Sequence, residues 1–200
     1  MSTMNAIKPD DITAVILAGG EGRRMGGTDK GLIELDGKPL IAHVIARLEP
    51  QTSNIIISAN RNIEYYQTYD YPVISDQIKN QGPLGGILSA LLQCRSDWLL
   101  TVPCDSPHLP LDLVHRIINT ANQTKARLFT VHDGRRSQPL FSLIHRNLTG
   151  SLQTYLAANN QKAALWLAQQ GTIKVNFNDQ PNAFININTI DTLTSLQKKT

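Results

Sequence analysis

The apolar pattern begins with an unbroken run, Ile12-Thr13-Ala14-Val15-Ile16-Leu17, that stops at a glycine pair. A short run that is apolar on both alternating faces predicts a strand buried inside a parallel sheet. Asn54 to Ser58 and Trp98 to Val102 repeat the pattern, and Tyr71 to Ile74 is a weaker version of it. Between them the period changes. Leu40, Val44, Ile45 and Leu48 share one helical face behind Pro39, a residue suited to a first turn. Ile87 to Cys94 and Leu111 to Thr120 also have helical spacing. Leu32 to Leu35 predicts a short strand that ends in the turn Asp36-Gly37, and Gly82-Pro83-Leu84-Gly85-Gly86 predicts a break. Further on, Arg127 to Val131 and Pro139 to Ile144 predict two strands around the polar turn His132 to Arg136. Helical segments follow around Leu152 to Ala158 and Lys162 to Ala168; Ile173 to Phe177, Ala183 to Ile187 and a short helix close the chain.

Strands alternating with helices predict an α/β fold: a doubly wound, mainly parallel sheet with helices on both faces. Residues 11–200 read as one domain, preceded by a tail over residues 1–10. In such sheets ligands bind at the carboxyl ends of the strands. The loops after Leu17, Ser58, Ile74 and Val102 therefore share one rim, and they hold most of the unusual residues.

Composition narrows the possibilities. A chain of 200 residues with 41% hydrophobic and 18% charged residues is globular rather than disordered. The net charge of +3 suits a small anionic substrate and is too diffuse for a nucleic-acid surface. The two cysteines, Cys94 and Cys104, form no CxxC pair, which argues against a zinc site and for two buried thiols in a reducing compartment. Met1 to Asp11 lacks the regions of a signal peptide, and no apolar run could span a bilayer. The cytoplasm is the expected location.

Leu17-Ala18-Gly19-Gly20-Glu21-Gly22-Arg23-Arg24-Met25-Gly26-Gly27-Thr28-Asp29-Lys30 carries the most chemistry. Its five glycines allow backbone N–H groups to converge on an anion, and Arg23, Arg24 and Lys30 add positive charge. A Walker A loop is excluded because Lys30 precedes Gly31 rather than Ser or Thr. A dinucleotide fingerprint is excluded because Met25 stands where its third glycine belongs. Asp105 closes the most apolar strand. It is either a hard oxygen ligand for Mg²⁺ or a turn aspartate before the next helix. Asp76, at another strand end, either contacts a base or sugar hydroxyl or caps a turn.

Leu17-Ala18-Gly19-Gly20, Arg24-Met25-Gly26-Gly27, Asp29-Lys30-Gly31-Leu32, Asp36-Gly37-Lys38-Pro39-Leu40, Gly82-Pro83-Leu84, Pro103-Cys104-Asp105 and Phe184-Ile185-Asn186-Ile187-Asn188-Thr189 occur in this order. As a set they resemble the molybdenum cofactor guanylyltransferases, over Thr13 to Leu193. The resemblance implies a Rossmann-like nucleotidyltransferase fold and a reaction in which GTP and the molybdenum-bearing molybdopterin give the guanine dinucleotide cofactor and diphosphate, with Mg²⁺ required. By family likeness, Leu17, Ala18, Gly19, Gly20 and Lys30 bind GTP and Asp76 contacts the nucleotide. Gly82 lies near the guanine and Asp105 holds the metal. Ser58 stands where the family has a nucleotide-binding Asn. Asn186 and Asn188 face the molybdopterin, and Gln138-Pro139-Leu140 departs from a His-Pro-Thr run of some members. Molybdoenzymes or their chaperones are the implied recipients of the product, with no nucleic acid and no membrane involved.

The implied chemistry needs few groups. A phosphate monoester has a second pKa of about 6 and is already ionised near neutrality, so no general base is needed to activate it. Lys30, Arg24 and a metal on Asp105 would supply positioning and charge. The rival readings are a cytidylyltransferase for the same cofactor or a sugar-phosphate nucleotidyltransferase, which would carry Ala-Ala-Gly in place of Ala18-Gly19-Gly20. A third is a non-catalytic GTP-binding protein that delivers the cofactor. Elsewhere, the five histidines lack metal-ligand spacing, and Trp98 and Trp166 read as core. Arg135-Arg136 is either a solvated turn or a grip for the acceptor phosphate. The tyrosines from Tyr65 to Tyr71 have no assigned role.

Overall fold

Strand β1 (Ile12–Leu17) is buried along its length, and its side chains alternate between two cores. Ala14 and Ile16 enter one core, while Val15 and Leu17 enter the other. This is why the run carries no charge and a single polar residue, Thr13, whose hydroxyl bonds to Ser96: a strand covered on both faces has no solvent side. The chain, described over residues 6–20, 28–78 and 80–197 in this computed structural model, builds its remaining elements around that strand.

A small hairpin follows, β2 (Glu34–Leu35) and β3 (Lys38–Pro39), turned by Asp36 and Gly37 with φ of 51° and 74°. Positive φ at both central positions gives a twist that suits the hairpin, and Asp-Gly tolerates it. Helix α1 (Leu40–Leu48) comes next, and Pro39 is its N-cap rather than part of its first turn. Then come β4 (Ile55–Ser58), the short α2 (Ile63–Gln67), β5 (Val73–Ile74), α3 (Pro83–Gln93) and β6 (Trp98–Pro103). The second half holds α4 (Leu113–Ala121), β7 (Leu128–His132), β8 (Ser137–His145), α5 (Thr149–Ala157), α6 (Ala163–Gln169), β9 (Ile173–Asn176) and α7 (Ile190–Gln197).

The main sheet has seven strands in the order β5-β4-β1-β6-β8-β7-β9. All its pairings are parallel except the two made by β8, which runs against β6 and β7. Helices α1 and α4 fill the core on one face, and α3, α5 and α6 fill it on the other. The doubly wound, mainly parallel, single-domain architecture is therefore present. From β1 the chain moves outward to β4 and β5, then returns to place β6 on the other side of β1. The strand order reverses there, and the carboxyl ends of β1 and β6 border the crevice where such folds bind ligands.

Three local expectations are corrected. Helix α3 starts at Pro83, so Gly85 and Gly86 belong to its first turns instead of breaking the chain. In the stretch read as a tail, residues 1–10, Ile7 N–H donates to Asn122 Oδ1 at 2.8 Å, and Asn122 Nδ2 donates back to the Ile7 carbonyl at 3.2 Å. Ile7 also packs against the core, which gives these residues apolar burial to offset their ordering. Cys94 is only half-buried, because it lies at the end of α3, whereas Cys104 is buried as expected. Ala183 to Ile187 joins no sheet; it crosses the carboxyl end of β6 as an irregular strap, with Ile187 N–H donating to the Asp105 carbonyl at 2.8 Å.

Candidate active site

The centre of the crevice is an ion pair. Asp29 N-caps a single 3₁₀ turn, Lys30–Leu32, and this turn aims the Lys30 side chain across the end of β6. Lys30 Nζ donates to Asp105 Oδ2 at 3.2 Å and also to Asn188 Oδ1 on the strap. Asp105 is 5% exposed, and its other oxygen, Oδ1, is buried with no hydrogen-bond partner among the described residues. Burial raises the Asp105 carboxyl above the usual carboxylate range, while Lys30 pulls it down. An unpartnered carboxylate oxygen is costly to bury unless something else satisfies it. A hard divalent cation would do so, and the donor chemistry fits Mg²⁺, which takes only one or two protein carboxylates.

On the β1 side, the sheet ends pack tightly. Ala18 N–H donates to the Ser58 carbonyl at 2.8 Å, and Cys104 N–H to the Leu17 carbonyl at 3.2 Å. Gly19 lies under Asn60: a Cβ there would sit 2.9 Å from Asn60 Nδ2. Asn60 and Asp76 bond reciprocally, Nδ2 to Oδ2 at 2.9 Å and the Asp76 N–H to Asn60 Oδ1 at 2.9 Å. Burial raises the Asp76 carboxyl, against the pull of the Asn60 amide and the Ser58 hydroxyl. Gly82, with φ 57° and ψ −155°, turns the chain into α3, whose first turns press onto this rim. A Cβ on Gly86 would meet Ser58 Oγ at 2.6 Å, and one on Gly85 would meet Asp76 Oδ2 at 3.1 Å. Leu17, Ala18, Gly19, Gly20, Ser58, Asp76, Gly82, Lys30 and Asp105 thus share one rim. Arg24, with the rest of residues 21–27, lies outside the described residues.

On the β8 side, a cavity of about 730 Å³ is walled by Arg135, Arg136, Gln138, Phe184, Asn186 and Asn188. Asn188 belongs both to this wall and to the Lys30 pair, so the cavity opens onto the Lys30–Asp105 pair. Ser106 Oγ donates to Asn186 Oδ1 at 3.2 Å and ties the strap to the loop after β6. The β7–β8 turn is organised by Asp133, which accepts from the Arg135 and Arg136 N–H groups at 2.8 and 2.7 Å and from Gln138 Nε2 at 2.6 Å. Neither arginine forms an ion pair among the described residues, and both are exposed at the cavity wall.

Comparison with known proteins decides the family. Residues 14–173 match the family described as the MobA-like NTP transferase domain. The chain belongs to that family.

Among relatives, a molybdenum cofactor guanylyltransferase of Shewanella putrefaciens is 48% identical over 184 residues, covering 92% of this chain and 94% of the relative. One of Vibrio campbellii is 45% identical, covering 94% and 95%. Among solved structures, molybdopterin-guanine dinucleotide biosynthesis protein A of Archaeoglobus fulgidus superposes with a TM-score of 0.79 at 20% identity, covering 94% and 97%. A 4-diphosphocytidyl-2C-methyl-D-erythritol synthase of Anaerococcus prevotii gives 0.70 at 14%, covering 96% of each chain. At such identities these structures speak for the fold alone. As a member of this family the chain is a nucleotidyltransferase.

Two groups of site residues escaped the sequence reading. Asn60, two residues beyond Ser58, is the side chain that reaches Gly19 and Asp76, while Ser58 Oγ is turned toward α3. Asp29, read only as part of a motif, is 7% exposed and bonded to Asn62 and Tyr66. Carrying the alternation of β4 two residues past its end at Ser58 could have found Asn60. Nothing local points to the Tyr66 contact, which spans 37 residues of sequence.

Proposed function

We propose that this protein transfers GMP from GTP to the terminal phosphate of the molybdenum-bearing molybdopterin, yielding the molybdopterin guanine dinucleotide cofactor and diphosphate. The observation that carries the reading is the unpartnered Asp105 oxygen beside Lys30, at the junction between the glycine-loop rim and the large cavity. A nucleotide on one side and an anionic acceptor on the other would meet there. The names of the guanylyltransferase relatives, at 45–48% identity over nearly the whole chain, support the choice of guanine and of acceptor.

GTP would lie across Leu17, Ala18, Gly19 and Gly20, with Ser58, Asp76 and Gly82 on the nucleoside side. Asn60 packs against Gly19 and holds Asp76. The acceptor would occupy the cavity near Asn186 and Asn188, with Arg135 and Arg136 across from them. Its phosphate, already largely ionised, attacks the α-phosphorus in line, and diphosphate leaves. The obstacle is repulsion between two polyanions and charge growing on the leaving group. Lys30 meets both by setting a fixed cation between the reactants, and it leaves Asp105 for the phosphates as the nucleotide arrives. Arg24 is a second candidate cation. Mg²⁺, held by Asp105, would polarise the phosphate oxygens and neutralise the diphosphate. No proton has to be removed from the nucleophile, which agrees with the lack of a nucleophile–base pair among the described residues of the crevice. The two unbridged thiols fit a reducing compartment, and we place the reaction in the cytoplasm; no helix among the described residues is long and apolar enough to cross a membrane.

The test is diphosphate release by purified protein with Mg²⁺ and the molybdenum-loaded pterin, comparing GTP, CTP, ATP and UTP. Release with GTP alone supports the proposal. Release with CTP alone would keep the mechanism and replace the base, an outcome the shared fold of a cytidylyl enzyme allows. Tight GTP binding without release would favour a delivery protein.

A further inference from the structure

One short stretch of chain grips the glycine-rich segment on both sides. At its start, Asn60 covers Gly19 and Arg61 donates to the Gly20 carbonyl at 3.0 Å. At its end, Asn62 Nδ2 donates to Asp29 Oδ2 at 2.9 Å and Tyr66 OH donates to Asp29 Oδ1 at 2.6 Å. Asn62 can do this because its backbone is left-handed, φ 50° and ψ 34°, a conformation Asn tolerates better than most residues. Tyr66 is fully buried, with nothing of its ring in solvent, and burial together with the Asp29 bond holds its hydroxyl protonated far above its ordinary range. The Asp29 carboxylate is thereby filled: Oδ1 takes Tyr66 and the Gly31 N–H, and Oδ2 takes Asn62. Gly31 has no room for a side chain, since a Cβ would lie 2.5 Å from the Tyr66 hydroxyl. Lys30 sits between these two pinned neighbours, and its amine reaches Asp105 at 3.2 Å.

We infer that Asn60 to Tyr66 is a bracket that fixes the two ends of the glycine-rich segment, with Asn62 and Tyr66 acting as positioning residues for Lys30. A lysine stem has four rotatable bonds and costs entropy to order. Fixing the backbone on both sides of Lys30 removes the part of that freedom the stem cannot control. The tyrosine is needed because the amine must meet a phosphate oxygen within a fraction of an ångström, and misplacement of about 1 Å can cost up to a hundredfold in rate. The inference rests on Lys30 acting on the triphosphate, as proposed above.

The test is a double-mutant cycle between Tyr66→Phe and Lys30→Ala, read in kcat and in the GTP dissociation constant, with Asn62→Ala as a second arm. Phe keeps the ring and its packing, so folded protein is expected, checked by circular dichroism and a cooperative melt. Tyr66→Phe should lower kcat roughly tenfold when Lys30 is present, and by less than about twofold when Lys30 is already Ala. Equal factors in both backgrounds, in rate and in affinity alike, would overturn the inference and leave Tyr66 as a structural residue. If Lys30→Ala alone turned over normally, the role of Lys30 itself would fail and the inference would fall with it. The two failures are therefore distinguishable.

Discussion

Gly86 offers a quantitative test of how the rim is built. In a helix, Gly→Ala ordinarily gains about 1 kcal/mol, because alanine loses less backbone freedom. Gly150, in the first turn of α5, shows that case: nothing lies within 4 Å of its added Cβ. At Gly86 the new Cβ would lie 2.6 Å from Ser58 Oγ, 3.3 Å from Leu17 Cδ2 and 3.4 Å from Asp76 Oδ1. The hydroxyl contact falls about 0.8 Å inside the 3.4 Å at which ordinary contact begins, in a region where Ser58 is 1% exposed. Overpacking of this kind costs about 1–3 kcal/mol, so Gly86→Ala should come out about 0–2 kcal/mol less stable after the helix gain. For a chain of this length that lowers Tm by up to about 8 °C, whereas Gly150→Ala should raise it by about 2–4 °C. Because α3 must move off Ser58 and Asp76, KM for GTP should rise by more than kcat falls. Adding Ser58→Ala removes the clashing oxygen and should recover most of the Tm. The assays are thermal melts and steady-state kinetics of the three variants and the double variant. If Gly86→Ala were as stabilising as Gly150→Ala, with KM for GTP unchanged, the close approach would not be what requires glycine there.

Lys30→Ala should lower kcat by roughly 10²–10³ while the far-ultraviolet spectrum and a cooperative melt persist, and normal turnover would remove Lys30 from the mechanism. Asp105→Asn should abolish Mg²⁺-dependent turnover and also change the pH dependence of stability. The folded Asp105 carboxyl is held above its ordinary value of 3.8 by burial, so the folded chain keeps a proton that the unfolded chain has lost. Stability from this group is therefore present below 3.8 and lost as pH rises through the raised folded value. The melting temperature of Asp105→Asn relative to the parent should accordingly climb across that window and then level off; a constant or falling difference would contradict the burial argument. Arg135→Ala with Arg136→Ala should raise KM for the acceptor roughly ten- to hundredfold and leave KM for GTP within about twofold, with the effect shrinking at high salt; equal changes in both constants would separate these arginines from the acceptor.

The parts of the fold legible in the sequence are those decided by burial on both faces. β1 and β6 announce themselves because every position is buried, and α1 and α4 because one helical stripe faces the sheet. The start of α3 was not legible, since Gly85 and Gly86 read locally as breakers. Their requirement comes from Ser58 and Asp76, which belong to other elements. The site divides in the same way. Lys30 and Asp105 could be found from strand ends and loop chemistry, and the fold brings them together across 75 residues. Asn188 could not be tied to Lys30 by pattern, because the strap that carries it has no period. Asp29 and Tyr66 looked like a motif neighbour and an unexplained aromatic until their side chains met in the core. Arg135 and Arg136, left open as solvated tip or grip, line a cavity only because the Asp133 turn folds them over it.

The most direct test of the central claim is the fate of the α-phosphate. Purified protein, Mg²⁺, the molybdenum-loaded pterin and GTP labelled at the α-phosphorus should give unlabelled diphosphate and a labelled guanine–pterin dinucleotide in equal amounts. No label should remain on the protein after denaturation. Label trapped on the protein would contradict direct attack by the acceptor phosphate, and label recovered only as unreacted GTP or as GDP would contradict nucleotidyl transfer itself.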